Sequence, residues 1–138
     1  MRTIVLCKVG DQLFGIEKEK IAAIASTNNK KIRTVEQDGQ RHVLLSKGRS
    51  SRIYDLSELF SIEPAKNHDS QFFLLDIEGQ LLTLKVSEKG GLATVPSDAL
   101  GELPPIFPRE IRTLFPETLL NGSDVILLLS PLALAATF

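Results

Sequence analysis

The stretch His42–Phe60, "HVLLSKGRSSRIYDLSELF", combines strand, turn and helix-capping signals. Two apolar runs, Val43–Leu45 and Arg52–Tyr54, flank a cationic segment centred on Lys47–Arg49. Asp55 follows the second run, and its carboxylate can cap a helix by accepting hydrogen bonds from free backbone N–H groups. The stretch therefore predicts a strand, a tight cationic turn, a second strand and a short helix.

The same organisation recurs along the chain as a weak internal repeat. "VLCKVGDQLFGI" at 5–16 resembles "FLLDIEGQLLTL" at 73–84, and both predict a β-hairpin. "LLSKGRSSRIYDLSEL" at 44–59 resembles "LLNGSDVILLLSPLAL" at 119–134, where Ser130 takes the capping position and Pro131 suits a first helical turn. Two such halves predict paired small β-barrels within one domain of 138 residues.

Three further segments carry expectations of their own. In "IEKEKIAAIAS" at 16–26, the isoleucines recur at helical spacing and predict a short helix. Glu88–Gly91 is expected to be a loop before a short strand, because two glycines end it. Asn67–Ser70, "NHDS", is expected to link the two halves, about 1–66 and 67–138.

Composition indicates a globular chain with an uneven charge distribution. It is 43% hydrophobic and 24% charged, with a net charge of -1. Residues 1–60 hold eleven Lys and Arg against seven Asp and Glu, whereas residues 61–138 hold five against ten. Complementary halves favour head-to-tail association, although such a split also arises by chance on a solvated surface.

No combination of residues points to catalysis, a metal or a cofactor. Cys7 is the only cysteine and lies in a strand-like run, where burial is expected. His42 and His68 lack the partner spacing of a metal-binding helix. The apolar C-terminal segment is short of the ~20 residues that span a membrane. We therefore expect a non-enzymatic cytoplasmic protein without membrane insertion, a compartment that a single free cysteine suits.

Three segments together resemble the CheW-like domain family of bacterial chemosensory adaptors. "FGIEKEKIAAI" at 14–24 is similar to the family's aromatic-Gly-Ile-acidic pattern. Gly48-Arg49 and "IYDL" at 53–56 resemble its arginine-glycine and valine-aspartate-leucine hairpin. "IRTLFPETLLNGSDVILLLSPLAL" at 111–134 resembles its closing hairpin and helix, and the resemblance covers nearly the whole chain.

This resemblance implies both a fold and a set of partners. The fold class is mainly β, with two intertwined SH3-like β-barrels and a few short helices. The partners would be a CheA-type histidine kinase, a chemoreceptor or another CheW-like domain. The residues expected to bind them are Ile21, Lys47, Gly48, Arg49 and Arg52.

Each of these residues also has a purely structural interpretation. Ile21 could belong to the core, and Gly48 could serve a turn that needs a positive φ. Lys47, Arg49 and Arg52 could be solvated charges that discourage edge-to-edge strand association. Lys47 also stands where the family usually has arginine, and Arg52 where it has proline, so a diverged domain dedicated to another protein partner is an alternative.

A nucleic-acid-binding β-barrel is the competing hypothesis from another functional class. Seven cations concentrate in the first half, namely Lys30, Lys31, Arg33, Arg41, Lys47, Arg49 and Arg52. Phosphate contacts would make binding steeply dependent on salt. The acidic second half and the absence of tryptophan argue against it, because aromatic stacking platforms are scarce. Nucleic acid is therefore not expected as a partner.

Overall fold

The chain is mainly β, as the sequence predicts. A computed structural model describes residues 1–63, 70–121 and 124–138, and elements are given for those ranges. The strands are β1 Arg2–Val9, β2 Gln12–Glu17, β3 Ile21–Ser26, β4 Thr34–Gln37, β5 Gln40–Leu44, β6 Ser50–Asp55, β7 Gln71–Ile77, β8 Gln80–Val86, β9 Glu88–Val95, β10 Leu100–Gly101, β11 Glu117–Asn121 and β12 Asp124–Leu128. The α-helices are α1 Leu56–Leu59, α2 Arg109–Leu114 and α3 Pro131–Thr137.

The strands form two six-stranded sheets that each mix strands from both halves of the chain. Sheet one has the order β10-β11-β12-β2-β1-β9, and sheet two has the order β3-β7-β8-β6-β5-β4. In sheet one, the hairpin β1–β2 comes from the first half of the chain and the other four strands come from the second. In sheet two, the hairpin β7–β8 comes from the second half and the other four strands come from the first.

The pairing registers of the two sheets follow the internal sequence repeat. In sheet one, β12 runs parallel to β2 and pairs Leu128 with Gly15. In sheet two, β6 runs parallel to β8 and pairs Ile53 with Thr83. In the aligned repeats, Gly15 is equivalent to Thr83 and Leu128 is equivalent to Ile53. Strands with equivalent sequences therefore occupy equivalent places in the two sheets.

Strand pairing leaves both sheets open. Among the described residues, no pairing joins β9 to β10 in sheet one or β3 to β4 in sheet two. The expected β architecture is thus present, whereas closure of each sheet into a barrel is not seen in the hydrogen-bonded order.

Two hydrophobic clusters stabilise this arrangement. The larger one lies between the sheets, where Val5, Cys7 and Phe14 of sheet one meet Phe73 and Leu84 of sheet two. The smaller one covers the other face of sheet one and contains Ile4, Leu119, Ile126 and Leu128. Successive residues of β1 enter opposite clusters, which explains its nearly continuous apolar sequence.

The predicted helix at 16–26 is wrong, because most of this segment is strand. Only Lys18–Lys20 forms a single 3₁₀ turn, and Ile21–Ser26 is β3. β3 pairs with β7, and the register shifts between Ile21 and Ala23. This bulge lets Ile21 and Ile24 both pack against the larger cluster, although a regular strand would point residues three apart to opposite faces. The helical spacing of the isoleucines thus arises from a bulged strand.

The predicted loop Glu88–Gly91 is also wrong, because it is the first half of β9. β9 pairs with β1 through a register shift between Val5 and Cys7, opposite the two glycines. A Cβ at Gly90 would lie 3.0 Å from the backbone oxygen of Leu6, so this site favours glycine. The two glycines therefore mark a bulge within a strand. Residues 67–69 of the expected linker, and the boundary between 66 and 67, lie outside the described residues.

Candidate partner-binding surface

The turn between β5 and β6 presents its cations to solvent from a constrained backbone. Lys47 and Gly48 are consecutive left-handed residues, with φ of 62° and 71°. The backbone N–H of Leu45 donates to the oxygen of Arg49 at 2.7 Å and closes the turn. A Cβ at Gly48 would meet nothing within 4 Å, so only the positive φ requires glycine there. The turn interpretation of Gly48 is thus supported by its backbone conformation.

Lys47, Gly48 and Arg49 are all exposed. Among the described residues, no carboxylate lies within ion-pair distance of Lys47 or Arg49. Their charges are therefore available to an external acidic surface.

Arg52, in contrast, is held by contacts within the protein. Its guanidinium lies 4.4 Å from the centre of the Tyr54 ring, a cation–π distance. Its Nη1 donates to the backbone oxygen of Phe138 at 2.8 Å, and the Phe138 ring packs edge-on against Phe60. Arg52 thus joins β6 of the first half to the end of the chain. Its Nε is buried and has no hydrogen-bond partner among the described residues.

Ile21 lies at the start of the edge strand β3 and is partly buried. It pairs with Leu75 of β7 and packs against the larger cluster. Its exposed remainder borders a shallow depression together with Arg2 and Glu17. The core interpretation of Ile21 is therefore correct for part of the side chain, and the rest of it faces solvent.

The structure brings these residues to one end of sheet two. β6 and β8 begin at this end, and β7 ends there. Leu75 of β7 pairs with both Ile21 of β3 and Leu82 of β8. Because Leu82 precedes Thr83, the partner of Ile53, Ile21 and Arg52 lie at the same height along their strands, with β7 and β8 between them. Three strand spacings separate them by roughly 14 Å. The cationic turn extends beyond Arg52 at the same end.

The other four of the seven cations considered for nucleic-acid binding lie near β4 and β5. Lys30, Lys31, Arg33 and Arg41 lie in or beside the β4–β5 hairpin. Arg33 bonds to Leu44 at the end of β5 that leads into the cationic turn, whereas Arg41 lies near the β4–β5 turn at the other end of β5. Their positions therefore neither require nor exclude joint action with the cationic turn.

Both predicted helix caps are present. Asp55 accepts from the backbone N–H of Ser57 at 3.1 Å and caps α1, and its other oxygen lies 3.6 Å from Lys85 Nζ. Ser130 Oγ accepts from the backbone N–H of Ala133 at 3.3 Å and caps α3, with Pro131 in the first turn. These caps fix the path of the chain where it leaves β6 and β12.

Sequence reasoning missed an ion cluster and a cleft. Arg2 of β1 forms ion pairs with both Glu17 of β2 and Glu117 of β11. An open cleft of about 570 Å³ lies beside Arg41 and Phe72 of sheet two. No local motif marks the cluster, because its members are far apart in the sequence. The internal repeat contains a signal for the cleft, because it aligns polar residues of sheet two with apolar residues of sheet one.

The predicted burial of Cys7 is confirmed. Its side chain is fully buried, and burial raises the pKa of the thiol to about 12. No helix among the described residues is long and apolar enough to cross a membrane. Within the same ranges, no three His, Cys, Asp or Glu side chains are grouped as a metal ion would require.

The comparisons with known proteins agree with the observed fold. A family model described as "CheW-like domain" matches residues 3–137. The fold is similar to the crystal structure of the scaffolding protein TtCheW from Thermoanaerobacter tengcongensis, with a TM-score of 0.76 and 16% sequence identity. That match covers 94% of this chain and 84% of the other. No curated protein sequence matches the chain.

Proposed function

This chain belongs to the CheW-like domain family, and on that premise we propose that it is a non-enzymatic adaptor in a bacterial chemosensory system. The family match extends over residues 3–137, and the fold is that of a scaffolding protein. The only cysteine is buried with a raised pKa, which suits a packing role. The adaptor would act by presenting protein surfaces to its partners.

The exposed cationic turn is the observation that carries this proposal. Lys47 and Arg49 project from a closed turn, and no carboxylate of the described chain pairs with them. A cationic surface of this kind steers encounter with an acidic partner. We propose a CheA-type histidine kinase, a chemoreceptor or another CheW-like domain as that partner.

Roles for the other predicted residues follow from their contacts. The exposed part of Ile21 would supply an apolar contact at the same end of sheet two. Gly48 would maintain the turn through its positive φ, and Arg52 would support the surface from below through Tyr54 and Phe138. The chain would act in the cytoplasm as one domain with two interlocked halves, about 1–66 and 67–138.

The test is affinity capture with a charge-reversed turn. Wild type and the K47E/R49E double variant, each immobilised, are incubated with native-cell lysate at 50 mM and 300 mM salt. A matched control, K89E/R109E, reverses two exposed cations of the second half. We expect wild type and the control to retain a CheA-type kinase or a chemoreceptor, and the K47E/R49E variant to lose most of it at both salt concentrations.

Circular dichroism melting of all three proteins checks that they are folded. Equal capture by wild type and K47E/R49E would contradict a binding role for the turn. If folded wild type retained neither kinase nor receptor but a different protein in a turn-dependent way, the domain would be a diverged family member dedicated to that protein.

A further inference from the structure

The outer faces of the two sheets differ in how tightly side chains pack on them. On sheet one, a Cβ added at Gly15 would lie 2.7 Å from Ile4 Cγ2 and 3.3 Å from Ile126 Cγ2, so that face has no free space. The repeat puts Ser51 in the place of Ile126 and Thr83 in the place of Gly15. Ser51 and Thr83 are buried and bonded to each other, with an Oγ1–Oγ distance of 2.8 Å. Sheet two thus has polar residues where sheet one has an apolar cluster.

The cleft of about 570 Å³ lies on this face of sheet two. The pairs Phe72–Lys85 and Asp55–Lys85 place these three side chains on one face of β7, β8 and β6. The residues that define the cleft include apolar and charged side chains, namely Ile32, Ile53, Phe72, Arg41, Lys85 and Asp55. A volume of this size accommodates a short peptide segment or a small ligand.

The cleft is separate from the cationic turn. It extends along β6 from Arg52 to Asp55, and the turn precedes Ser50, the first residue of that strand. Lys47, Gly48 and Arg49 do not line the cleft, although Arg52 does. The cleft is therefore tested apart from the turn, with variants that leave Lys47, Arg49 and Arg52 unchanged.

The outer edge of β4 borders the cleft, and no strand of the described part of the chain pairs with it. β4 is the last strand of sheet two, and Thr34 at its start lines the cleft. The backbone N–H of Leu44 donates to the backbone oxygen of Arg33. The backbone N–H and C=O groups of Arg33, and of every second residue after it, therefore point toward β5. In an antiparallel pair the intervening residues point the other way, so the N–H groups of Thr34 and Glu36 face outward. An extended chain can bond to such an edge.

The charge beside this edge is mainly positive. Four exposed cations, Lys30, Lys31, Arg33 and Arg41, occupy the β3–β4 connection and the β4–β5 hairpin, against the two carboxylates Glu36 and Asp38. Arg41 Nη2 donates to Thr34 Oγ1 at 3.0 Å, and no carboxylate of the described residues lies within ion-pair distance of Arg41. The cleft itself is lined by three cations, Arg41, Arg52 and Lys85, and by the carboxylates Asp55 and Glu58, of which Asp55 is engaged by Lys85. The remaining donors of Arg41 therefore favour an acidic occupant.

We propose that an extended acidic peptide segment of a partner protein binds along the outer edge of β4. Its backbone pairs with the outward groups of Thr34 and Glu36. Its side chains alternate between the two faces of the sheet, so that apolar and carboxylate groups on one face enter the cleft and contact Phe72 and Arg41.

The experiment is a fluorescence-anisotropy titration with a defined probe. The probe is a fluorescein-labelled octapeptide pool in which Asp or Glu alternates with Val, Ile, Leu or Thr. A second pool replaces the acids with Lys or Arg. Wild type should bind the acidic pool saturably and the basic pool far more weakly, and higher salt should weaken the acidic complex. R41A should weaken it about tenfold, as expected when one charge-assisted hydrogen bond is lost.

Two substitutions at Glu36 isolate strand addition from charge. E36A removes a negative charge and keeps the outward N–H, so binding should be unchanged or tighter. E36P removes the same charge and the N–H but spares the bonds to β5, so binding should weaken at least tenfold. K89A, on sheet one, should match wild type, and circular dichroism melting should show that every variant is folded.

Several results would overturn the proposal. They are the absence of saturable binding to the acidic pool, equal affinity for the basic pool, and equal affinity of E36A and E36P. Competition by millimolar succinate would show a small-carboxylate site instead. Sedimentation velocity in which E36P abolishes self-association would show that a second copy of the chain occupies the edge. The K47E/R49E variant is included in each measurement as a positive control, because it should still bind the acidic peptide pool.

Discussion

Arg2 and Glu117, which are 115 residues apart, form a two-pronged ion pair between β1 and β11. Arg2 Nη1 donates to Glu117 Oε2 at 2.7 Å, and Nη2 donates to Oε1 at 2.8 Å. Arg2 also contacts Glu17 at the end of β2. Planar guanidinium groups suit this paired geometry. The cluster connects the first strand of the chain to the closing hairpin of the second half.

Removing the guanidinium should destabilise the domain. We expect R2M to lower the free energy of unfolding by about 1 kcal/mol, because the ion pairs are partly exposed and screened by solvent. R2K, which keeps the charge but loses the fork, should fall between R2M and wild type. Urea titration of the three proteins measures this, and equal midpoints for wild type and R2M would contradict it.

The contribution of this pair should also depend on pH. The hydrogen bond from Arg2 lowers the pKa of Glu117 below its ordinary 4.5. A lowered carboxyl pKa adds stability that is fully present above pH 4.5 and is lost as the pH falls through the lowered value. The stability difference between wild type and R2M should therefore be constant from pH 7 to pH 5 and shrink below pH 4.5. A difference that grew on acidification would have the wrong sign.

Gly48 and Gly91 form a matched pair for testing backbone strain. A Cβ would meet nothing within 4 Å at either glycine, but only Gly48 has a positive φ. G48A should destabilise the domain by about 1 kcal/mol, the cost of a left-handed residue with a Cβ. G91A should stabilise it by about 0.5 kcal/mol, because the unfolded chain loses freedom. Thermal unfolding compares the two, and equal effects would contradict the turn geometry.

Gly15 should not tolerate any larger side chain. G15A would place a methyl group 2.7 Å from Ile4 Cγ2, and overpacking of this kind should cost about 1–3 kcal/mol. G101A is the control, since its Cβ would lie 3.8 Å from Thr118 Oγ1 in ordinary contact. Urea midpoints of the two variants measure the difference. An unaffected G15A would show that the outer face of sheet one has free space.

The Cys7 thiol should react only after unfolding. It is fully buried, and its pKa of about 12 leaves little thiolate at neutral pH. We expect a disulfide reagent at pH 8 to label the native protein at the rate of opening, and protein in 6 M guanidinium at once. Immediate labelling of the native protein would contradict the burial of this side chain.

Local features of the sequence predicted local features of the structure correctly. The β5–β6 turn, the caps at Asp55 and Ser130, and the hairpin β7–β8 follow from turn residues, capping side chains and alternating patterns. These depend on interactions between residues close in the chain. The candidate turn residues Lys47–Arg49 were located in the same way, because exposure of a polar turn is a local property.

The errors and omissions have a different origin. Ile21–Ser26 was predicted as helix because its isoleucine spacing fits one, yet the edge of β7 pairs with it as a bulged strand. The contacts of Arg52 with Tyr54 and Phe138 are not evident from the sequence, and its role in partner binding stays a prediction. In β3, pairing with a distant strand outweighs the local preference.

Residue patterns alone predict a mainly β chain with repeated hairpins, capped short helices, a buried cysteine and an exposed cationic turn. They do not predict that each sheet combines strands of both halves, that Arg2 meets Glu117, or that one sheet is tightly packed while the other holds a cleft. The difference lies in the range of the interactions. Turns and caps are stabilised within a few residues, whereas pairing between distant strands and the filling of space depend on side chains that meet only after the chain has folded.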